Sequence, residues 1–435
     1  MNVFPLILKA QGFSFREAQA RLRLLQRMET QQFIEWQRDQ AWAIARFHYK
    51  NNKVYSAKIG RFFPDRWQDL PVITKKDFQQ PLAKLITRGI SPGQCYVGST
   101  SGSTGTPFFF AKDKFSHAMT WAIIADRYKL YNLDFSSKQA RFYGIPKETW
   151  RLRRETVKDI IMNRQRFSVF DLSYTVLQRF LDSFAKEKFV YIYGYTSALV
   201  LFSRFLIERN IVLRIICPSL KLCISTSEVC TPEDHVLLEK AFGIQHIREY
   251  GVSETCLTAF DIPGKKWCLT EETLLNEVAD DYGMPVPGGV EGNILSTSLF
   301  NMAFPMIRYQ SGDIGSVAER DATGYRSLQS LTGRTNDTVH LPGDKKAAGL
   351  TFYYISRSIL ESTGILSEFI IRQVAIDHFI FDIVSSRDLL PVEIGQMEEK
   401  LSLYLMPGLR LDINRVDKID RPPSGKLKHF YSELV

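Results

Sequence analysis

The sequence predicts an α/β protein: a large N-terminal domain of α/β layers with a β-rich subdomain, then a small mobile α+β domain. Three observations lead there. The chain has 435 residues, and single hydrophobic cores stop growing at roughly 250–300 residues, so at least two domains are expected. Helix and strand patterns alternate from Val176 to Glu249, as in a parallel sheet with crossover helices. After Gly333-Arg334 the composition changes and a shorter set of elements begins, which divides the chain into domains 1–334 and 335–435.

Taken in order, the N-terminal segment is rich in Arg, Gln and Leu at helical spacing, broken by Pro5 and Gly12, and reads as helices. Asp69 to Phe78 reads as an extended stretch turning into a helix capped by Thr74. From Gly89 to Phe110 the Gly, Ser, Thr and aromatic residues read as strand–loop–strand. Val176, Leu177, Phe180, Leu181 and Phe184 fall on one helix face, and Phe189 to Tyr193 is a strand. Ser197 to Glu208 fits a helix, Leu220 to Ser225 a strand, and Ile244 to Glu249 another. Between the last two, Thr231-Pro232-Glu233-Asp234 starts a helix with Pro at its first position. Short strands punctuated by Gly and Pro run from Asn276 to Asp321. The terminal unit offers a helix (Tyr353 to Ser362), strands (Phe369 to Val374, Phe379 to Ser385), a helix (Val392 to Tyr404) and a strand near Leu409 to Val416.

Bulk composition excludes several classes. Hydrophobic residues are 45% and charged residues 24%, the balance of a soluble globular protein. Lys and Arg number 56 against 47 Asp and Glu, a net charge of +9. That is a mildly basic surface, or attraction for polyanions such as nucleotides and coenzyme A. No basic block with interleaved aromatics appears, so nucleic acid is not an expected partner. Arg151, Arg153 and Arg154 read as a helix face. The six cysteines form no CxxC pair and read as reduced thiols. Val3 to Leu8 is too short for a signal sequence and no stretch reaches the ~20 apolar residues of a membrane span, so a cytoplasmic protein without a membrane partner is expected.

Five motifs carry chemistry. In Ser99-Thr100-Ser101-Gly102-Ser103-Thr104-Gly105-Thr106-Pro107, glycines let backbone N–H groups approach an anion and hydroxyls add donors, the physics of a phosphate cradle. Taken alone it is equally a flexible loop. In Arg248-Glu249-Tyr250-Gly251-Val252-Ser253-Glu254, at a strand end, the ring suits stacking on a base and the carboxylate suits Mg²⁺ that bridges phosphates. Alone, Glu254 is an ordinary surface carboxylate. Ile307 to Asp313 ends in a Gly-Asp step suited to ribose hydroxyls, or to a β-turn. Gly333-Arg334-Thr335-Asn336-Asp337 offers Arg334 to a phosphate or ribose, or is a linker. Arg421-Pro422-Pro423-Ser424-Gly425-Lys426 holds a point charge on a mobile loop, or a solvated tail.

The order and spacing of the five resemble the superfamily of acyl-CoA synthetases, amino-acid adenylation domains and firefly-type luciferases. Within it, Leu70-Pro71-Val72-Ile73-Thr74-Lys75, Tyr193-Gly194-Tyr195-Thr196-Ser197 and Met306-Ile307-Arg308-Tyr309 resemble the phenylacetate–coenzyme A ligase-like branch and its capsule-cluster relatives, over residues 65–430. The resemblance implies an ATP-dependent acyl- or aryl-CoA ligase that forms an acyl-adenylate and then a thioester with coenzyme A. It assigns Ser101, Gly102, Ser103, Thr104 and Gly105 to the phosphates. Glu254 takes Mg²⁺, Tyr250 with Ser227 and Glu228 flanks adenine, and Gly251 and Ser253 belong to the same nucleotide site. Asp313 takes the ribose with Arg334 nearby. Lys426 is catalytic beside Glu254, Tyr143, Gly144, Tyr193 and Tyr195 line the acyl pocket, and Asn336 is the hinge. Asn336 departs from the branch, which carries an acid there. Phe260-Asp261 and Cys268 replace a Cys/His cluster of some members, so no structural zinc is expected. A homodimer is the candidate assembly. The alternatives are delivery to a carrier-protein thiol or an amine, and an inactive nucleotide-binding homologue.

Overall fold

A computed structural model of the protein describes residues 4–100, 108–143, 149–169, 174–265, 267–322, 324–334, 338–343, 345–348, 366–419 and 430–434. They divide into two compact units, 1–311 with 315–330 and 312–314 with 331–435.

The first unit opens with helices α1 (Phe4–Ala10), α2 (Phe15–Gln26), α3 (Thr30–Asn51) and α4 (Lys53–Ile59). Asn52 caps α4 by accepting the Tyr55 N–H at 3.1 Å. A two-residue strand β1 (Ile73–Thr74) follows, then a 3₁₀ turn at Lys75–Phe78 where a full helix was expected. Thr74 and Asp77 still form the capping box there. After α5 (Leu82–Leu85), strands β2 (Cys95–Thr100) and β3 (Phe108–Asp113) pair antiparallel, with Thr100 opposite Phe108. This is the expected strand–loop–strand unit; its loop, 101–107, lies outside the described residues. Asp113 ends β3 and caps α6 (Lys114–Lys129) through the Ser116 N–H at 2.8 Å.

The central layer is built from β4 (Gln139–Tyr143), α7 (Thr149–Ile161), β5 (Arg164–Ser168), α8 (Tyr174–Lys186), β6 (Tyr191–Tyr195), α9 (Thr196–Glu208), α10 (Leu213–Ile216), β7 (Leu222–Thr226), α11 (Pro232–Phe242), β8 (Gln245–Val252), β9 (Cys256–Asp261) and β10 (Trp267–Leu269). They form a seven-stranded sheet in the order β10-β9-β8-β7-β6-β4-β5. From β5 to β8 the strands run parallel. Every residue of β6 and β7 is buried, because a central parallel strand is covered on both faces.

One face is an aromatic core, with Phe142, Phe167, Phe180, Phe184 and Phe202 packed from the sheet, α8 and α9. The five positions expected on one face of α8 are its buried residues. Thr231 accepts the Asp234 N–H at 3.1 Å and Pro232 opens α11. The other face receives α1, α2 and α6 through Phe4, Leu22, Met119 and Ile123.

The β-rich subdomain comprises β11 (Leu274–Ala279), β12 (Gly292–Ser298), β13 (Tyr309–Val317) and β14 (Leu328–Arg334), in a sheet ordered β1-β13-β12-β11 with β14 on β13. It is clamped by Arg308, whose side chain is 1% exposed. Its guanidinium donates to the carbonyls of Gln68 at 2.9 Å, Leu70 at 2.7 Å and Gly283, and to Glu277 at 3.3 Å.

The second unit holds β15 (Thr338–Leu341) paired with β16 (Lys345–Ala348), then β17 (Leu366–Ala375), β18 (His378–Ser385), α12 (Pro391–Tyr404), β19 (Arg410–Arg415) and β20 (Phe430–Ser432). Its sheet runs β19-β18-β17-β20 over a core of Phe369, Ile371, Phe379, Phe381, Met397 and Leu401. The helix expected at Tyr353 to Ser362 lies outside the described residues. Among the described residues no helix is long and apolar enough to cross a membrane.

Two predictions follow from this packing. Arg308→Met removes the shared donor from three carbonyls and leaves Glu277 with the Trp67 indole N–H at 2.9 Å but no countercharge in the clamp, so the urea midpoint should fall by the equivalent of about 3–5 kcal/mol, with Arg308→Lys only partly restoring it. Burial also lowers the pKa of His48 to about 4, and of His117 and His246 to about 3. The unfolded chain therefore takes up protons that the folded one refuses. Stability is fully present above pH 6.5 and falls as pH drops from there towards the folded values, by about 1.4 kcal/mol per pH unit per histidine. Denaturant melts between pH 7.5 and 5 measure this; a flat profile would count against neutral buried imidazoles.

Candidate active site

In open parallel sheets the carboxyl ends of the strands are the natural ligand site. Here those ends carry tyrosines. Tyr143 closes β4, Tyr195 closes β6, and Tyr193 stands two residues earlier on the same strand face. The Tyr143 ring lies 4.2 Å from that of Tyr195 and stacks on Tyr193 at 5.8 Å and 17°. Gly194 separates the two tyrosines because a Cβ there would sit 2.5 Å from the Cβ of Phe142. Ser227, just beyond β7, holds a left-handed φ of 68° and shares a 3.3 Å hydrogen bond with the Tyr143 hydroxyl. Tyr143, Tyr193, Tyr195 and Ser227 are thus brought together, with Glu228 next in the chain. Gly144 lies outside the described residues.

Beneath the rings sits a charged pair that the sequence reading missed. The Arg141 guanidinium lies over Tyr143 at 4.1 Å and Tyr193 at 4.9 Å. The Glu249 carboxylate accepts from the Tyr193 hydroxyl at 2.7 Å and the Tyr128 hydroxyl at 3.4 Å. Burial raises the Glu249 pKa, while the Tyr193 hydrogen bond and the Arg141 charge pull it back. The available signal was periodicity: Arg141 is two residues before Tyr143 on a strand, and Glu249 precedes Tyr250 inside the second motif.

That motif spans the end of β8 and the turn into β9. Tyr250 is buried and meets Trp267 edge-on at 6.2 Å. Gly251 admits no side chain without crowding the Cys256 carbonyl, 3.0 Å from its Cβ position. Ser253 is exposed. Glu254 is buried and accepts from the Tyr309 hydroxyl at 3.1 Å. Arg248 binds Asp261 through both its backbone and its guanidinium, at 2.8 and 2.9 Å, and stacks on Trp267. Asp261 is thereby committed, while Phe260 and Cys268 are core. Among the described residues no three His, Cys, Asp or Glu side chains are grouped to hold a metal. A single carboxylate steadied by a tyrosine does suit Mg²⁺, which commonly takes one or two carboxylates plus substrate phosphates.

Asp313 lies within strand β13, with Gly312 at φ 90°, so the Gly-Asp step is a strand irregularity rather than the turn its composition suggested. Arg334 ends β14. Ser101, Gly102, Ser103, Thr104, Gly105, Asn336 and Lys426 lie outside the described residues. A cavity of about 380 Å³ elsewhere in the first unit, lined by Gln68, Val72, Asp281, Gly283 and Arg308, contains none of the expected site residues.

No family model matches the chain. A phenylacetate–coenzyme A ligase of Aromatoleum evansii is 30% identical over 134 residues, 29% of this chain and 30% of that protein. The match therefore spans under a third of the relative's length. A 2-hydroxyisobutyryl-CoA ligase, solved in the postadenylation state with R3-HIB-AMP, superposes with a TM-score of 0.67 over 94% of this chain and 91% of its own, at 16% identity. An amide bond synthetase of Marinactinospora thermotolerans superposes with a TM-score of 0.51 over 77% of this chain and 68% of its own, at 14% identity.

The network predicts its own mutational response. Arg141→Met leaves Glu249 without a countercharge and raises its pKa further. The variant should lose about 1–3 kcal/mol relative to wild type at pH 8 and less as the pH falls and the carboxyl takes up its proton. Arg141→Met/Glu249→Gln should recover most of the loss, as read by a double-mutant cycle of urea midpoints.

Proposed function

Starting from a chain with the fold of acyl-CoA ligases and sequence likeness to phenylacetate–coenzyme A ligases, we propose that it is an AMP-forming carboxylate–CoA ligase. The observation that carries the reading is the tyrosine-lined end of the parallel sheet, beside a buried Tyr309–Glu254 pair, in a fold of that kind. An apolar aromatic wall suits a flat or medium-length acyl group, while hydroxyls such as Ser227 suit a nucleotide edge.

In the first step the substrate carboxylate attacks the α-phosphorus of ATP, the bond to the bridging oxygen breaks, and pyrophosphate leaves. The work is positioning and charge neutralisation, with no protein nucleophile. The loop 101–105 holds the outer phosphates, Tyr250, Ser227 and Glu228 flank adenine, and Asp313 with Arg334 holds the ribose. Glu254 is the residue that would hold Mg²⁺, which neutralises phosphate charge when bound. Lys426 neutralises the charge that builds on the α-phosphate and carboxylate oxygens. In the second step the coenzyme A sulfur bonds to the acyl carbon and AMP leaves, the thiol proton passing to solvent. The domain 335–435 turns about Asn336 between the steps, clearing Lys426 and admitting the thiol.

Acid-dependent ATP–pyrophosphate exchange tests the reading across aryl, hydroxyaryl and aliphatic acids. Exchange with at least one acid is expected, reduced about 100- to 1000-fold by Lys426→Ala. ATP binding without exchange for any acid would put a nucleotide-binding protein in its place. AMP release with coenzyme A, a carrier-protein thiol or an amine as acceptor then separates ligase from carrier loading and amide synthesis.

A further inference from the structure

The cavity of about 380 Å³ in the first unit has the size of a small-molecule site. It is built on the face of the β1–β13 pair turned away from Glu254. Ile73 pairs with Tyr309 and Thr74 with Gln310. Successive side chains of a strand alternate, so Tyr309 reaches Glu254 on one face while Thr74 and Gln310 line the cavity on the other.

The polar wall is arranged in advance. Asn293 is 6% exposed and spends its carboxamide on two cavity residues: its Nδ2 donates to Asp281 at 3.1 Å and its Oδ1 accepts from Gln310 Nε2 at 2.8 Å. This fixes Asp281 and Gln310 on either side of it and leaves the second Asp281 oxygen and the Gln310 carbonyl oxygen open among the described residues. A guanidinium carries five N–H groups. Arg308, which lines the same cavity, places four of them on Glu277, Gln68, Leu70 and Gly283, so one Nη2 hydrogen is left over. The rim carries a ring. An Asp280 oxygen accepts the Tyr282 and Met284 N–H groups at 2.9 and 2.8 Å, which stiffens the turn, yet Tyr282 is 92% exposed.

Charge selects the ligand class. Asp280 and Asp281 line the cavity and the cation beside them is already paired with Glu277, so an anion such as a nucleotide or a free acid is repelled. Among the described residues no three carboxylates are grouped to hold a metal. Open carboxylate and carboxamide oxygens beside N–H donors suit neighbouring hydroxyls, each of which both donates and accepts. A fixed, exposed ring next to the aliphatic surface of Pro71 and Val72 suits the C–H face of a sugar ring. We propose that this cavity binds a neutral pyranose, with its hydroxyls on Asp281, Gln310 and Arg308 and its C–H face on Tyr282. The site is independent of the adenylation reading, which pyrophosphate exchange tests separately.

Saturation-transfer NMR on the full chain tests the assignment, with glucose, galactose and mannose as probes and putrescine as the cationic control. At least one pyranose should bind saturably at millimolar concentration, and putrescine should not. Asp281→Ala and Tyr282→Ala, both at exposed positions, should each weaken that pyranose about tenfold or more. Tyr282→Ala keeps the backbone N–H that Asp280 binds, and it carries the test if Asp281→Ala disturbs Asn293. The assignment is overturned by the absence of pyranose binding, by pyranose binding unchanged in both variants, or by putrescine binding that Asp281→Ala abolishes.

Discussion

A guanidinium sealed from water has to put its N–H groups on protein acceptors, and Arg308 does so by drawing three separate segments onto itself. The carbonyls of Gln68 and Leu70 come from the entry to β1, that of Gly283 from the turn between β11 and β12, and the carboxylate of Glu277 from β11. The Arg308 backbone is fixed as well. Its N–H binds Thr297 of β12 at 2.8 Å and its carbonyl receives the Ile73 N–H at 3.2 Å. The left-handed φ of 44° is a cost that this clamp holds in place. Because Ile73 pairs with Tyr309, the same contacts set the register in which Tyr309 reaches Glu254. The carboxylate proposed for the metal is thus positioned from the β-rich subdomain through one arginine.

The parallel sheet imposes a second constraint. Its strand ends must be covered without exposing backbone groups, and the tyrosines do this by closing β4 with Tyr143 and β6 with Tyr195. Ring faces alone would make an apolar slot. Placing Arg141 and Glu249 behind them fixes the orientation of Tyr143 and Tyr193, one by cation–π contact and the other by a hydrogen bond. Each charge is tolerable because the other is near, so the pair works as a brace for the rings.

What was legible in the sequence was what periodicity and local chemistry determine. The helix start at Thr231-Pro232, the buried face of α8 and the existence of strands β6, β7 and β8 all depend on neighbours a few residues apart. The motif around Tyr250 fell at a strand end for the same reason. Long-range pairing was not legible. Nothing near Arg308 in the chain announces Gln68 or Gly283, and nothing near Tyr193 announces Tyr128 as its companion on Glu249. The Gly312-Asp313 step misled because a glycine before an aspartate is written the same way in a turn and in a distorted strand.

Two kinds of buried cation occur in this molecule. Arg127, 3% exposed, spends its charge on a bidentate pair with Glu272 at 2.7 and 2.8 Å, and Arg308 on its carbonyl clamp; both hold segments together. Lys112 is as deeply buried and binds no carboxylate, and burial lowers its pKa accordingly. Even Arg127 keeps one buried N–H, its Nε, without a partner, and so does Arg141, so the burial of a cation in this fold is offset only in part by its own hydrogen bonds.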